Sequence, residues 1–149
     1  MLLKKEYFKD HPLWQPLELE LHRRRNQLDN AQLSQVVHAF GVMGSATKFL
    51  FQDLEETIID SPIPWEAPNA IKILSGYAQV DQGSPILYKV LMDIVKHEGL
   101  HKLTLQQIAN MSKDLSRVSQ LPKGSQPFFD LVEKHVKTEI EQGRITDFR

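Results

Sequence analysis

A pattern of apolar residues recurs at a spacing of 37 residues, and it constrains the fold more than any other feature of the chain. Residues 33–59 contain two short amphipathic stretches joined by a turn rich in Gly and Ser, and residues 70–96 repeat them without a gap. A fixed period of this size is typical of stacked pairs of helices. The matching positions are Val37 and Leu74, Phe40 and Tyr77, Leu50 and Leu87, Phe51 and Tyr88, Leu54 and Leu91, and Ile58 and Val95.

The period divides the chain into one helical-repeat domain spanning residues 1–149. A half repeat covers residues 13–27, repeat one 28–63, repeat two 64–102 and repeat three 103–143. The sequence therefore predicts an all-α fold, a right-handed α-solenoid of about three and a half two-helix repeats. Repeat three is the loosest copy, since its first helix is shifted by one residue, its turn is longer, and its second helix matches repeat two at an offset of 41.

Residues with strong capping preferences mark the ends of the predicted helices. The first helices of repeats one and three should begin with capping boxes, Asp29 with Gln32 and Thr104 with Gln107, and Glu66 stands at the equivalent position of repeat two. The helix of the half repeat should begin near Gln15, because Pro16 is tolerated only within the first turn. The remaining expected caps are Thr47 and Ser84 at helix starts, the latter followed by Pro85, and Gly41, Gly44, Gly99 and Gly143 at helix ends.

Apolar residues at helical spacing define the predicted core. In the half repeat, Leu13, Trp14, Leu17 and Leu21 align with Leu50, Phe51, Leu54 and Ile58, and the second helix of repeat two should bury Ile86, Leu87, Leu91, Ile94 and Val95. Four aromatic residues share one position of the second helices, and we predict that they pack in the core: Trp14, Phe51, Tyr88 and Phe129. An apolar set near the N-terminus, Leu2, Leu3, Tyr7 and Phe8, predicts a short docking segment.

Composition excludes several classes of protein. The absence of cysteine excludes disulfides and zinc–thiolate sites. No apolar run approaches the roughly 18 residues of a membrane span, and the first twelve residues lack the apolar segment of a secretory signal. The net charge of −1 argues against a strongly basic nucleic-acid binder.

One short motif suggests an enzyme. His97-Glu98-Gly99-Leu100-His101 matches H-E-x-x-H, which binds zinc when both histidines lie one turn apart on a single helix. The repeat register instead places this motif at the end of a helix, with Gly99 as the residue that ends it. We therefore expect no metal site, no cofactor and no catalytic residues.

The repeat segments resemble a known class of helical repeats. LSQVVHAFGVMG with FLFQDLEETI, AIKILSGYAQVD with ILYKVLMDIV, and the looser IANMSKDLSRVSQL with PFFDLVEKHV are similar to the heptatricopeptide and octotricopeptide repeats of FAST-kinase-like and RAP-domain proteins. The resemblance covers about residues 29–136. It implies a role in organellar, chiefly mitochondrial, RNA metabolism: binding RNA, processing it, or serving within the mitochondrial ribosome.

This resemblance leads us to expect a non-catalytic, RNA-associated structural subunit of a large mitochondrial gene-expression assembly, with the mitochondrial ribosome as the leading candidate. Its expected partners are other protein subunits and RNA, either rRNA or mRNA, without a membrane. Two alternatives stay open: a protein-interaction scaffold without RNA contact, and an RNA-processing factor.

Two sets of residues are the predicted RNA contacts. The first set lies on the solvent side of the three first helices, at one equivalent place per repeat, where polar side chains read single-stranded bases: Gln35 and His38, Lys72 and Ser75, and Asn110 and Lys113. The second set forms basic patches near the two ends of the domain: Arg23, Arg24 and Arg25, and Lys113, Arg117 and Lys123. The alternative for Arg23–Arg25 is that they only stabilise the C-terminal end of a helix.

Overall fold

The computed structural model describes residues 11–143, which form seven α-helices and no β-strand. The all-α prediction is therefore confirmed. The predicted N-terminal docking segment of Leu2, Leu3, Tyr7 and Phe8, and the tail at residues 145–149, lie outside the described residues. The helices are α1 (Trp14–Arg24), α2 (Asn30–Met43), α3 (Lys48–Ile59), α4 (Ala67–Gln79), α5 (Pro85–Glu98), α6 (Leu105–Ser116) and α7 (Gln126–Glu141).

The predicted caps set most helix boundaries. Asp29 and Thr104 form capping boxes with Gln32 and Gln107, and the hydroxyls of Thr47 and Ser84 each accept a backbone N–H at the start of α3 and α5. Glu66 occupies the N-cap position of α4 but makes no capping hydrogen bond with its side chain. Helix α1 begins at Trp14, with Pro16 in its first turn, close to the predicted start. Gly44 ends α2 in the left-handed conformation, and Gly99 ends α5.

The helices pack in two layers. Helices α2, α4 and α6 lie side by side, since α2 packs against α4 and α4 against α6. A second layer contains α1, α3 and α5, which contact one another in the same order. Consecutive helices also pack against each other, α2 against α3 and α4 against α5, so each pair forms a helical hairpin that connects the two layers. The core lies between the layers and is formed mainly by Leu33, Val37, Leu50, Leu54, Leu74, Tyr77, Leu87, Tyr88, Leu91, Val95 and Met111.

The prediction that Gly41 ends a helix is wrong. Gly41 lies inside α2 and is buried against Gly76 of α4, where a Cβ on Gly41 would stand 2.2 Å from the Gly76 carbonyl oxygen. This glycine is needed for a close approach of two helix backbones, which the sequence pattern of a single helix does not reveal.

The prediction that Ile86 is buried is also wrong, because its side chain is 66% exposed in the first turn of α5. Leu13 and Leu17 also differ from their buried counterparts Leu50 and Leu54 and are partly exposed. Among the described residues, no first helix lies beside α1 to cover them. Of the four aromatic residues that share one position of the second helices, Phe51 and Tyr88 are buried as predicted. Trp14 and Phe129, at the two ends of the series, are half-buried.

Candidate nucleic-acid interface

The outer surface of α2, α4 and α6 brings together several of the predicted contact residues. We call this surface the first-helix face. His38 of α2, Lys72 and Ser75 of α4, and Asn110 of α6 line one cavity of about 180 Å³. These side chains come from three different helices, and they meet because the helices lie side by side. The remaining lining residues are Pro68, Ile71, Gln107, Met111 and Asp114.

Gln35 and Lys113 lie on the same helices as these residues and are exposed, but they do not line the cavity. Hydrogen bonds between neighbouring turns orient other polar groups on this face: Gln106 donates its amide to Asn110 at 3.1 Å, and Gln79 donates its amide to Ser75 at 3.3 Å. The side-chain carbonyl oxygen of Asn110 thus accepts a hydrogen bond from Gln106, and the side-chain N–H groups of Asn110 remain as donors for other acceptors.

Charge is distributed unequally between the two layers. Helix α2 contains no charged residue, α4 contains only Lys72, and α6 contains Lys113 and the buried Asp114. None of these three helices therefore carries an exposed acidic side chain. The second-layer helices carry the carboxylates, with Glu20 on α1 and Asp53, Glu55 and Glu56 on α3 among them. Lys72 and Lys113 are consequently the exposed charges within the helices of the first-helix face, while the exposed carboxylates of Asp29 and Glu66 stand at the N-caps of α2 and α4.

Asp114 is a residue of the cavity lining that the sequence analysis missed. It is 7% exposed and lines the cavity from the α6 side. Because the first helix of repeat three is shifted by one residue, Leu115 holds the position of Phe40 and Tyr77. The same register aligns Asp114 with Ala39 and Gly76, so the repeat pattern gave no signal for a carboxylate there.

The three arginines Arg23–Arg25 contact groups at the C-terminal end of their own helix, α1. Arg23 and Arg24 both contact the Glu20 carboxylate, one turn earlier on α1. Arg25 donates to the backbone carbonyl of His22 at 2.6 Å, as expected for a basic residue at a helix C-terminus. Because α1 packs against α3 in the second layer, these arginines do not belong to the first-helix face. This arrangement favours the helix-end interpretation of the run.

Arg117 and Lys123 are exposed in the segment between α6 and α7. Arg117 directly follows α6, and Lys123 lies in the loop before α7. This loop is attached to the preceding hairpin, since Ser119 donates its backbone N–H and hydroxyl to the Asp81 carboxylate at 3.0 and 2.8 Å. These two hydrogen bonds hold the pKa of the Asp81 carboxyl below its usual value. Arg117 thus lies at the end of α6, and Lys123 lies farther along the loop.

The H-E-x-x-H segment does not form a helical zinc motif. Helix α5 ends at Glu98, Gly99 has a φ of 98°, and His101 lies in the 3₁₀ turn Leu100–Lys102. The prediction that Gly99 ends the helix is confirmed. Across residues 11–143, no group of three His, Asp or Glu side chains is placed to hold a metal ion.

The chain matches no family model, no curated protein and no solved structure. Within the part that the structure describes, every helix is too short or too polar to cross a lipid bilayer.

Proposed function

We propose that the described helices form an α-solenoid with a period of 37 residues. Two inter-helix contacts that recur at this spacing support it. Thr47 donates its N–H and hydroxyl to the Glu18 carboxylate, both at 2.6 Å, and Ser84 does the same to Glu55 at 2.9 and 2.8 Å. Glu18 and Glu55 are 37 residues apart, as are Thr47 and Ser84.

Aromatic contacts repeat with the same spacing. Trp14 packs edge-to-face on Phe40 with ring centroids 5.1 Å apart, and Phe51 packs on Tyr77 in the same way at 5.0 Å. Each pair joins a second helix to the next first helix, 26 residues later. Such equivalent contacts are what nearest-neighbour stacking of repeats requires. The third hairpin lacks both, because Met92 stands in place of the carboxylate and Leu115, in the shifted register, in place of the aromatic ring.

The function that this arrangement supports best is that of a non-catalytic, RNA-associated subunit of a larger assembly. One observation carries the proposal: His38, Lys72 and Asn110, from three successive first helices, line one cavity on a face without exposed acidic side chains. A surface of this kind accepts unstacked bases by hydrogen bonding. RNA, as rRNA or mRNA, is the proposed ligand of the first-helix face.

The resemblance to organellar repeat proteins supplies the compartment and the assembly of this proposal. On that basis we place the chain in mitochondria, as a subunit of the mitochondrial ribosome or of a related gene-expression complex. A short solenoid presents few side chains to an RNA strand, and the first-helix face carries only two lysines, Lys72 and Lys113. Such a chain gains its position on RNA from neighbouring subunits as well as from its own contacts.

A protein-interaction role has support from a separate surface. Phe49 and Ile86 are 73% and 66% exposed, and they occupy equivalent positions in the first turns of α3 and α5. Large apolar side chains exposed at repeated positions are candidate contacts for another protein. This pair favours the scaffold hypothesis, in which the second layer binds another subunit.

Fluorescence anisotropy with labelled single-stranded RNA tests the RNA proposal. The double variant Lys72→Gln/Lys113→Gln removes both cations from the first-helix face, and Arg23→Gln/Arg24→Gln removes the same charge from α1. We expect only the lysine variant to bind more weakly. The slope of log affinity against log salt concentration should also be less steep for this variant, by about 0.7 for each lysine that contacts a phosphate. Equal losses in the two variants, or no loss in either, would refute binding at this face.

The scaffold alternative is tested by incorporation of tagged variants into native complexes. Phe49→Ser/Ile86→Ser removes the paired apolar side chains, and Ile63→Ser, a single exposed residue in a loop, is the control. Under the scaffold hypothesis, the double variant is lost from the complex while its purified form still binds RNA. Normal incorporation of the double variant would contradict a role for this surface.

A further inference from the structure

We propose that the cavity of the first-helix face binds a guanine base, whose N1–H and N2 amino group donate to the Asp114 carboxylate. This inference rests on the proposed RNA-binding function and specifies the base that the face selects. It is carried by a carboxylate that lines the cavity without a donor from the described residues, and by the chemistry of the groups around it.

The Asp114 carboxylate lines the cavity, and no described residue among 11–143 donates a hydrogen bond to it. It also forms no ion pair with them, although only 7% of the residue is exposed. No fully buried side-chain oxygen or nitrogen of the described residues lacks a hydrogen-bond partner, so the Asp114 oxygens keep contact with solvent and are free to accept donors from a ligand in the cavity. Tyr88 lies within range of the Asp114 charge, but its hydroxyl donates to the carbonyl of Gln82 at 2.6 Å. Ser34, the other buried polar residue, donates to the Ala31 carbonyl at 2.7 Å.

The size of the cavity suits one small planar group. Its volume is about 180 Å³, which corresponds to roughly six water molecules in the liquid. Pockets for drug-sized molecules are larger, about 300–1,000 Å³. Ile71 and Met111 supply apolar contact surface, and His38 adds an aromatic ring to the lining. A single base has the dimensions and the flat apolar faces that these side chains accept.

The hydrogen-bonding groups favour guanine over the other bases. A carboxylate offers two acceptor oxygens, and it is satisfied by two parallel donors. Guanine presents two adjacent donors, N1–H and the N2 amino group, on its Watson–Crick edge. Adenine and cytosine present one amino group there, and uracil presents one N–H between two carbonyl oxygens. Lys72 and Asn110 line the same cavity and supply donors for the guanine O6 or N7 acceptors.

A cationic ligand fits the cavity less well. A lysine or arginine side chain from a protein would satisfy Asp114, but it would enter a cavity that Lys72 also lines. The repulsion between like charges lowers the affinity for such a ligand. A neutral base that combines donors with acceptors meets both Asp114 and Lys72 without this cost.

Anisotropy measurements on the full chain test the inference with four uridine-based strands that differ in one central nucleotide. The central nucleotide is guanosine, inosine, adenosine or uridine, and inosine lacks only the N2 amino group of guanosine. We expect the guanosine strand to bind about tenfold more tightly than the adenosine and uridine strands, with inosine between them. This comparison uses the unaltered protein, so it does not depend on the folding of any variant.

Asp114→Asn, which preserves the side-chain shape, should bring the guanosine strand to the affinity of the uridine strand. The affinity for the uridine strand itself should remain within about twofold. The control Asp93→Asn alters an exposed carboxylate that pairs with Lys89 on α5, and it should retain the preference for guanosine. Circular dichroism and thermal unfolding verify that both variants are folded.

The outcomes separate the two proposals. Equal binding of all four strands, or a guanosine preference that persists in folded Asp114→Asn, overturns the guanine site but leaves RNA binding intact. Failure of every strand to bind overturns the proposed function, and the guanine site with it. Binding of a lysine-rich peptide that depends on Asp114, without a preference for guanosine among the strands, assigns the cavity to a protein side chain and overturns the inference.

Discussion

Gly41 of α2 and Gly76 of α4 meet backbone to backbone where the two helices cross. A Cβ on Gly41 would lie 2.2 Å from the Gly76 carbonyl oxygen, and a Cβ on Gly76 would lie 2.5 Å from the Val37 carbonyl oxygen. All of these contacted atoms belong to helix backbones, which cannot move away without separating the helices. The pair therefore fixes the distance between α2 and α4, and with it the spacing of His38 and Lys72 on the first-helix face.

Gly41→Ala should destabilise the fold by roughly 1–3 kcal/mol, because it overpacks a rigid helix crossing. In an unobstructed helix the same change would stabilise by up to about 1 kcal/mol, since alanine is the better helix former. Urea denaturation followed by circular dichroism measures the difference. Ala39→Gly, at an exposed position of the same helix, gives the propensity contribution alone. A Gly41→Ala variant as stable as the native chain would show that the helices are farther apart than described.

Glu55 and Ser84 should stabilise the fold together, so that the effects of replacing them on the free energy of unfolding are coupled. Ser84→Ala removes an N-cap, which typically costs about 0.5–2 kcal/mol, and it also leaves the half-buried Glu55 carboxylate without its hydroxyl donor. Glu55→Gln removes the charge and one acceptor. A double-mutant cycle should give a coupling energy above about 0.5 kcal/mol. Additive effects would mean that the hydrogen bonds contribute little, and Glu56→Gln on the exposed side of α3 should have almost no effect.

The burial of two tyrosines predicts that the folded chain loses stability at alkaline pH. Burial, together with nearby carboxylates, raises the pKa of Tyr77 and of Tyr88 well above the ordinary value of 10.0. The folded chain therefore keeps both phenols protonated where the unfolded chain loses the protons. Stability should be unaffected by these groups below pH 10.0, and it should decline as the pH rises above that value.

Stability measured against pH, with tyrosinate absorbance recorded in parallel, checks this expectation. The two phenols should ionise only as the chain unfolds. Tyr88→Phe should reduce the slope of stability against pH, although it also removes the hydrogen bond to Gln82. Ionisation of all tyrosines before any loss of helix would contradict the burial of these rings.

The Asp81–Ser119 contact predicts an opposite dependence in acid. Because the pKa of the Asp81 carboxyl is lowered in the folded chain, its contribution is present above the usual carboxyl pKa and is lost as the pH falls through the lowered value. Asp81→Asn should leave the chain less sensitive to acid. Asparagine tolerates the positive φ of 49° at this position, so the variant changes the carboxylate and little else. Unfolding midpoints between neutral and acidic pH measure the effect, and identical acid profiles would exclude a contribution from this contact.

The sequence by itself determined the helices and most of their ends. The capping boxes at Asp29 and Thr104, the Ser84-Pro85 start and the Gly99 end depend on hydrogen bonds and φ preferences within a few residues. Local signals of this kind can be read directly from the order of residues. The 37-residue pattern likewise identified Phe51 and Tyr88 as core residues. It also placed a pair of polar residues on each first helix, with Gln35, Lys72 and Asn110 at one position and His38 and Ser75 at the other.

Tertiary structure decided what depends on distances between helices. It placed Gly41 in a helix crossing instead of at a helix end, exposed Ile86, engaged Arg23 and Arg24 with Glu20, and buried Asp114 in the lining of a cavity. Hydrophobic periodicity states which side of a helix faces the core, but it does not state how closely the neighbouring helix approaches or which polar group is left without a partner. Those properties arise only when the helices pack, because burial and donor geometry belong to the packed layers and not to any one helix.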